Sequence, residues 1–334
     1  MHLHLGSALL EIPAADAMFE QQFGKRLYLG GNMDKYSNDG KSLGQLRKPS
    51  SIPSDADGLY TKDVIIDNHL KARLYLPVTV PAGLKHPVGV FGHCGGFCEG
   101  DLDSEDAFCR IIAHRYPCIV VSIDYRKAPV WKIPTAFEDF LKGFLWAHDS
   151  ADELGGDKNK IFCFGCSAGG TLSLATAHKL IELGKGDALR GVINCAGGAI
   201  HPDLVPDRFR AKYNAMTECD TDGVPVIDAA TTRMINEISG LDLHKADPWV
   251  NPLLSPHLGR FPPAYLVACG VDPLRDDSII MAAEMQRLGV KVKIDVYDGL
   301  PHVFWMIASL PSFERFIGNL LLGIRFVLEG VGDN

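Results

Sequence analysis

The chain contains 334 residues, 46% of them hydrophobic, and carries a formal net charge of −8. This acidic balance argues against a surface built for nucleic acid or anionic membranes, because both partners would repel it. The chain is long enough to bury a substantial core, and it has no apolar run of about 18 residues that could span a bilayer.

The N-terminal residues and the cysteines both favour a reducing compartment. The N-terminus lacks a basic region and reaches acidic residues too early for a secretory signal. The chain has nine cysteines, an odd number, and most of them lie inside apolar runs. Buried free thiols explain this pattern better than a disulfide framework does. We therefore expect a cytoplasmic protein.

The predicted elements begin with a mixed N-terminal segment and continue as an α/β pattern. An amphipathic stretch at 14–23 predicts a helix, and a polar loop follows it. KDVIID and KARLYLP alternate apolar and polar residues, which predicts an antiparallel pair of strands. Downstream, the predicted strands are VGVFGH, CIVVSID, KIFCFG, GVINC, AYLVACG and VKIDVY, and the predicted helices are 104–115, 134–148, 168–183, 277–288 and 312–328.

Continuous apolar strands that alternate with helices predict a parallel sheet covered on both faces. Together with the antiparallel pair, they give a mostly parallel sheet of eight strands. Roughly 65 residues separate GVINC from AYLVACG, far more than the usual connection. We interpret residues 200–250 as a cap insertion with a helix at 229–239. The core is then formed by 56–199 and 251–334.

The motif Gly165-x-Ser167-x-Gly169 lies between a predicted strand and a predicted helix. A serine at such a sharp turn exposes its Oγ, and the flanking glycines let the strained backbone pass without side-chain clashes. The new helix directs its first free N–H groups toward the same point. The alternative is a glycine-rich helix entry without a catalytic role. The strand–turn–helix context favours a nucleophile.

A serine nucleophile needs a base, and the base needs an orienting acid. Asp272 follows the strand AYLVACG and His302 follows the next strand, so both should lie at the edge of the sheet where Ser167 sits. A loop histidine and a helix N-cap are the alternatives for these two residues taken singly. Asp276 and Asp277 are rival acids, but they begin the next helix and would more naturally cap it.

The stretch FGHCGGF follows the third predicted strand and predicts backbone donors for an oxyanion. Glycines there let N–H groups approach a tetrahedral intermediate with no Cβ in the way. Gly95, Gly96 and Ala168, the residue after the nucleophile, are the three predicted donors. A metal or redox site at His93, Cys94 and Cys98 is disfavoured, because the chain offers no CxxC, HExxH or second ligand cluster at usable spacing. No metal and no cofactor is therefore expected.

Taken together, these motifs resemble the hormone-sensitive-lipase-like carboxylesterases of the α/β-hydrolase superfamily. The resemblance extends from about Lys62 to the C-terminal part of the chain. The segments that carry it are HCGGFCEGDLDSEDAFCRIIA, VSIDYRKAPVWKIPTAFEDF, LGGDKNKIFCFGCSAGG, NPLLSPHLGRFPPAYLVACGVDPLRDD and VYDGLPHVFW.

The resemblance implies an α/β-hydrolase fold with Ser167 as nucleophile, Asp272 as orienting acid and His302 as base. It also implies a lid built from an N-terminal cap segment, residues 1–55, and the 200–250 insertion. Relatives often pair through the last strand and helix, so the homodimer is the implied assembly. Three departures bear on substrate choice: Cys94 replaces a glycine of the HGGG block, Cys166 replaces an acidic residue or threonine, and Val130 replaces a glutamate.

The sequence therefore predicts a serine hydrolase that cleaves short to medium carboxylic esters of small molecules through an acyl-serine intermediate. One alternative keeps the acyl-enzyme but makes the protein an acyl-transferring, lactone-forming or deacetylating enzyme of specialised metabolism. Another is a ligand receptor, since certain plant hormone receptors resemble this family. Those receptors lack the catalytic histidine, and the presence of His302 argues against that reading.

Overall fold

The computed structural model describes residues 52–54, 57–78, 85–221, 223–308 and 310–330. Within these ranges eight strands form one sheet in the order β1-β2-β4-β3-β5-β6-β7-β8. The predicted helix at 14–23 and nearly all of the 1–55 segment lie outside the described residues. The strands are β1 Leu59–Ile65, β2 Lys71–Pro77, β3 His86–Gly92, β4 Ile119–Asp124, β5 Gly156–Cys166, β6 Gly191–Cys195, β7 Ala264–Val271 and β8 Val292–Pro301.

The sheet is mostly parallel, as the sequence predicts. β2 runs antiparallel to both of its neighbours, β1 and β4. All other neighbouring strands are parallel. The central strands are apolar because both of their faces are covered: every residue of β6 is buried, whereas β1 at the edge has only Leu59 buried. Parallel strands place all their carboxyl ends at one edge of the sheet, and the candidate site lies there.

Five long helices cover the two faces of the sheet, and their ends differ by two residues or fewer from the predicted ones. They are α1 Asp106–Arg115, α2 Thr135–Ser150, α3 Ala168–Glu182, α7 Arg275–Arg287 and α8 Pro311–Glu329. One core layer contains buried residues of α2, α3 and α7. The other contains those of α1 and α8. No helix in the described part of the chain has the length and apolar character needed to cross a bilayer.

The 200–250 segment contains three further helices, α4 Asp207–Arg210, α5 Ala215–Glu218 and α6 Ala229–Ser239. The predicted helix at 229–239 is confirmed. Asp228 caps its start by accepting a hydrogen bond from the Thr231 N–H at 2.7 Å, and Gly240 ends it with a φ of +80°. Such an N-cap followed by a left-handed glycine is a common way to delimit a short helix.

Backbone contact between α3 and β3 fixes the position of the turn that carries Ser167. A Cβ built on Gly169 would lie 1.8 Å from the carbonyl oxygen of Gly92. Only glycine permits this approach, so the first turn of α3 packs directly on the end of β3. The start of α3 is thereby held at the carboxyl edge of the sheet.

Candidate active site

Ser167 lies alone between the end of β5 and the start of α3. Its φ is +52° and its ψ −120°, a strained conformation for a residue with a side chain. Its N–H donates a hydrogen bond to the carbonyl oxygen of Cys195 at 2.8 Å. A side chain on Gly165 would meet the backbone of Gly169 at 2.3 Å. The glycines on either side therefore permit the tight turn, as the sequence predicts.

The structure brings the three predicted catalytic side chains together. The imidazole Nε2 of His302 lies 2.8 Å from the Ser167 Oγ, and its Nδ1 lies 2.7 Å from the Asp272 Oδ2. With Nδ1–H donating to the carboxylate, Nε2 is free to accept the serine proton. The second Asp272 oxygen, Oδ1, accepts the N–H of Leu274 at 2.8 Å, which fixes the carboxylate. All three residues are buried.

The loop after β3 contributes two glycines to the cavity that Ser167 lines. Gly95 and Gly96 have φ values of +122° and +59°. A Cβ on Gly95 would collide with the carbonyl oxygen of Glu99 at 2.3 Å, and one on Gly96 would press on Ile235 of α6 at 2.8 Å. Gly95, Gly96 and Ala168 line the same cavity as Ser167 and His302.

Glu105 holds this loop from outside the cavity, a role that the sequence pattern does not predict. Its carboxylate Oε2 accepts the N–H of Cys94 at 2.6 Å, and the residue is buried. Glu105 is one acidic residue in an acidic stretch, and the pattern does not indicate that it folds back onto a loop eleven residues earlier.

The cavity has a volume of about 120 Å³, and its walls come from the core and from the 200–250 segment. Thr171, Gly198 and Leu274 belong to the core wall, whereas Tyr213, Ile235 and Asn236 come from the insertion. The two sulfur atoms of Cys94 and Met306 lie 3.8 Å apart on another wall. None of its lining residues is a lysine or an arginine.

The expectation that Asp276 and Asp277 cap their helix is wrong. Both lie in the first turn of α7, but their carboxylates bind the insertion. The Oδ2 of Asp276 accepts the N–H groups of Asn214 and Ala215 at 2.6 and 2.7 Å. Neither carboxylate is hydrogen-bonded to His302, so Asp272 is the acid that the structure pairs with the imidazole.

Asp277 has a second set of partners. Its Oδ1 accepts the N–H groups of Ala199 and Ile200 at 2.8 and 3.1 Å, and its Oδ2 accepts the hydroxyl of Tyr213 at 2.8 Å. Burial raises the pKa of Asp277 to about 7. The first turn of α7 thus binds residues 199–200 and 213–215, at the two ends of the first part of the 200–250 segment.

The residues of the disfavoured metal site have other roles. His93 is buried, its ring stacks on Tyr125 with centroids 4.0 Å apart, and its Nδ1 lies 2.7 Å from the carbonyl oxygen of Cys94. Burial lowers the pKa of His93 to about 4. Within the ranges that the structure describes, no cluster of three or more His, Cys, Asp or Glu residues could hold a metal ion.

No disulfide forms in the described part of the chain, and eight of the nine cysteines are buried. Burial raises the pKa of the Cys166 thiol well above its usual range, which is the opposite of what a nucleophilic thiolate needs. Cys166 therefore packs beneath the turn, while Ser167 faces the cavity. Val130, the third departure from the family pattern, is 78% exposed and has no place in the cavity wall.

Comparison with known proteins places the chain in a family. A family model described as alpha/beta hydrolase fold matches residues 89–306. The versiconal hemiacetal acetate esterase of Dothistroma septosporum is 35% identical over 93% of this chain and 93% of its own length. Its namesake from Aspergillus parasiticus is 32% identical over 86% and 89%. The crystal structure of vibralactone cyclase, at 26% identity, superposes with a TM-score of 0.78 and covers 98% of this chain and 92% of that one. The chain therefore belongs to the α/β-hydrolase fold family, and its predicted resemblance to the hormone-sensitive-lipase-like carboxylesterases is confirmed.

Proposed function

We propose that this carboxylic ester hydrolase works through an acyl-serine intermediate on Ser167. The observation that carries the proposal is the continuous hydrogen-bond chain from the Ser167 Oγ through His302 to the buried Asp272. His302 takes the serine proton as the Oγ attacks the ester carbonyl carbon, and Asp272 stabilises the resulting imidazolium. The same imidazole then protonates the leaving alcohol. Water then attacks the carbonyl carbon of the acyl-enzyme while His302 accepts a proton from it. His302 returns this proton to the Ser167 Oγ, and the carboxylic acid is released.

The N–H groups of Gly95, Gly96 and Ala168 are the proposed oxyanion donors. Gly95 and Gly96 have no Cβ that could block an approaching oxyanion. Ala168 begins α3, and the partial positive charge at the N-terminus of this helix favours an anion. One such donor typically contributes about 3 kcal/mol of transition-state stabilisation. The mechanism requires no metal or organic cofactor.

Substitution of the nucleophile tests the proposal. We expect Ser167→Ala to abolish hydrolysis of p-nitrophenyl acetate and butyrate, because the alanine has no group to form the acyl-enzyme. Ser150→Ala, at the end of α2 and away from the cavity, is the matched control. A fluorophosphonate should label the unchanged protein and not Ser167→Ala. Full turnover by Ser167→Ala would refute the assignment.

A second candidate is a deacetylating or lactone-forming role in specialised metabolism. The relatives named versiconal hemiacetal acetate esterase and the structural neighbour named vibralactone cyclase favour it. Cys94 also supports it, since it places a side chain in the cavity wall, 3.8 Å from the Met306 sulfur, where the family pattern has a glycine. Product analysis by mass spectrometry with hydroxy esters distinguishes the reactions: free acid indicates hydrolysis, and a lactone or a transferred acyl group indicates the alternative.

We further propose that residues 200–250 act as a cap over a core formed by 56–199 and 251–334, since the insertion supplies one cavity wall. A cytoplasmic location is also proposed, since none of the nine cysteines, all of which lie in the described ranges, forms a disulfide. A homodimer is proposed through β8 and α8, where Val296 and Leu322 are each 41% exposed. Size-exclusion chromatography with light scattering tests the dimer, and Val296→Lys should give a monomer.

A further inference from the structure

Glu99 lines the cavity. Its side-chain carboxylate forms no ion pair and no hydrogen bond with any described residue. The residue is half-buried and lies in the loop that carries Gly95 and Gly96. Its backbone N–H donates to the Gly95 carbonyl at 2.9 Å, which ties its position to that loop. Burial raises the pKa of Glu99, and no neighbouring cation lowers it. A half-buried carboxylate without a partner is costly to the folded protein.

Asn236 supplies a second polar group on the adjacent wall. It lies on α6, next to Ile235, whose side chain would be 2.8 Å from a Cβ built on Gly96. Asn236 lines the cavity, and its side-chain amide forms no hydrogen bond with the described residues. Two polar residues from different elements therefore line an otherwise largely apolar cavity, and neither side chain forms a hydrogen bond or ion pair with the described residues. Ligand sites commonly have this composition, a mostly apolar wall with a few polar groups that fix orientation.

We propose that Glu99 and Asn236 form a subsite that recognises a hydroxyl group on the ester substrate, so that hydroxylated esters are the preferred class. This inference rests on the proposed function. A carboxylate only accepts hydrogen bonds, so its ligand must present a donor. An amide both donates and accepts, and a hydroxyl does the same, so a hydroxylated ring can satisfy both side chains. An ammonium ion only donates and would leave the amide N–H groups unpaired.

The lining of the cavity supports this class over anionic substrates. It contains no lysine or arginine. One of its two histidines, His302, belongs to the proposed catalytic triad. The other, His201, lies 2.9 Å from the Oδ1 of Asp242 and 3.7 Å from the Oδ2 of Asp203. A carboxylated or phosphorylated ester would meet Glu99 with no compensating cation, whereas a neutral hydroxyl gains a charge-assisted hydrogen bond.

The test compares matched esters on matched variants. Phenyl acetate is paired with 3- and 4-hydroxyphenyl acetate, and 1-naphthyl acetate with monoacetates of dihydroxynaphthalenes, so that hydroxyls at several distances are sampled. The kcat/KM ratio of each hydroxylated ester to its parent is measured for the unchanged protein, Glu99→Leu, Glu99→Gln and Asn236→Leu. Because each variant is measured on both esters, a general loss of activity cancels from the ratio.

We expect Glu99→Leu to lower the ratio for the best hydroxylated ester by about tenfold, mainly through KM, the size expected for a hydrogen bond to a charged group. The ratio for Glu99→Gln should lie between those of the unchanged protein and Glu99→Leu, since glutamine keeps an acceptor without the charge. Asn236→Leu should lower the ratio in the same direction. Glu153→Gln, an exposed residue that makes the same charge change away from the cavity, should leave the ratio unchanged.

Two results would overturn the inference. One is a ratio unaffected by both Glu99→Leu and Asn236→Leu. The other is a Glu99-dependent preference for acetylcholine over 3,3-dimethylbutyl acetate without any preference for hydroxyls, which would assign the carboxylate to a cation. Calorimetric binding of the same ester pairs to Ser167→Ala separates the two proposals. Tighter binding of the hydroxylated esters by this variant supports the subsite independently of the chemistry, whereas turnover of the esters by Ser167→Ala contradicts the catalytic proposal alone.

Discussion

Glu105 accepts the main-chain N–H of Cys94, one residue before Gly95 and Gly96, the proposed oxyanion donors. A buried carboxylate in this position holds the loop by a charge-assisted hydrogen bond, typically stronger than a neutral one. Its role in the proposed reaction is to position Gly95 and Gly96, because it does not line the cavity.

Removal of this carboxylate should affect catalysis more than substrate binding. We expect Glu105→Ala to lower kcat on p-nitrophenyl acetate by about tenfold or more with little change in KM, since donors aligned to the transition state contribute several kcal/mol. Glu105→Gln should recover part of the loss because it retains an acceptor. Steady-state kinetics check this, with circular dichroism to confirm folding. A change confined to KM would contradict a positioning role.

Asp277 gives a prediction about stability and pH. Its pKa is raised to about 7 by burial, with the nearby Asp272 charge acting in the same direction. Because its pKa in the folded state exceeds the unfolded value near 4, its protonated form stabilises the fold. This contribution is complete below about pH 4 and is lost as the pH rises to about 7. Tyr213 and two backbone N–H groups face the same carboxyl.

We expect Asp277→Asn to remove this dependence while keeping the link to the insertion, since its amide oxygen can accept the two backbone N–H groups and its NH2 can donate to Tyr213. Between pH 5 and pH 8 the unchanged protein should lose roughly 2 to 3 kcal/mol of unfolding free energy relative to the variant, because each pKa unit corresponds to about 1.4 kcal/mol. Urea denaturation at both pH values measures it. Parallel pH profiles for the two proteins would count against the raised pKa.

Most of the residues of the candidate site could be predicted from sequence, because the strand ends of a parallel sheet converge at one edge. Ser167, Asp272 and His302 each follow a recognisable apolar strand. Glu105 and Asp277 could not be assigned in this way. Their partners are backbone N–H groups of remote loops, and no side-chain pattern in the sequence records which carboxylate a given N–H will meet.

At the scale of elements, the long helices and strands were predictable because their apolar periodicity extends over many residues. The pattern left out the short helices α4 and α5, of four residues each, which are too short for any periodicity to develop. The predicted helix at 277–288 begins two residues earlier, at Arg275. This shift places Asp276 and Asp277 inside its first turn, where they reach the insertion instead of capping the helix.

The contact between α3 and β3 gives a prediction for two glycines of different elements. We expect Gly169→Ala to cost at least about 3 kcal/mol or to prevent folding, because its Cβ would lie 1.8 Å from the Gly92 carbonyl oxygen and overpacking forces backbone shifts. Gly318→Ala, at an exposed position of α8 with nothing within 4 Å of the new Cβ, should instead stabilise by about 0.5 to 1 kcal/mol. Thermal and urea unfolding of both variants measure the difference. Equal changes in stability for the two variants would show that the α3–β3 contact tolerates a Cβ at position 169.

At the scale of the whole molecule, the strand order separates neighbours in the chain, since β3 lies between β4 and β5. The sequence predicted the number of strands and their mostly parallel direction. It did not give their order, because the apolar pattern of a doubly covered strand is the same in any central position.

The overall charge of the molecule gives a prediction about substrates. With a net charge of −8 and no lysine or arginine lining the cavity, anionic esters should be poor substrates. We expect methyl 4-acetoxybenzoate to have a higher kcat/KM than 4-acetoxybenzoate, and the gap to narrow between low salt and 0.5 M NaCl, because salt screens the repulsion. A preference for the charged ester at low salt would point to a cationic group near the entrance.

The paired carboxylates at the start of α7 also bear on protein engineering. Asp272, Asp276 and Asp277 lie within a single loop and helical turn, so the proposed catalytic acid and the anchor of the 200–250 segment share one support. A chimaera that receives a foreign segment in place of 200–250 must present a hydroxyl and a pair of main-chain amides to these two anchors. Foreign segments that meet this requirement should preserve turnover while changing selectivity. Segments chosen by length alone should lose turnover.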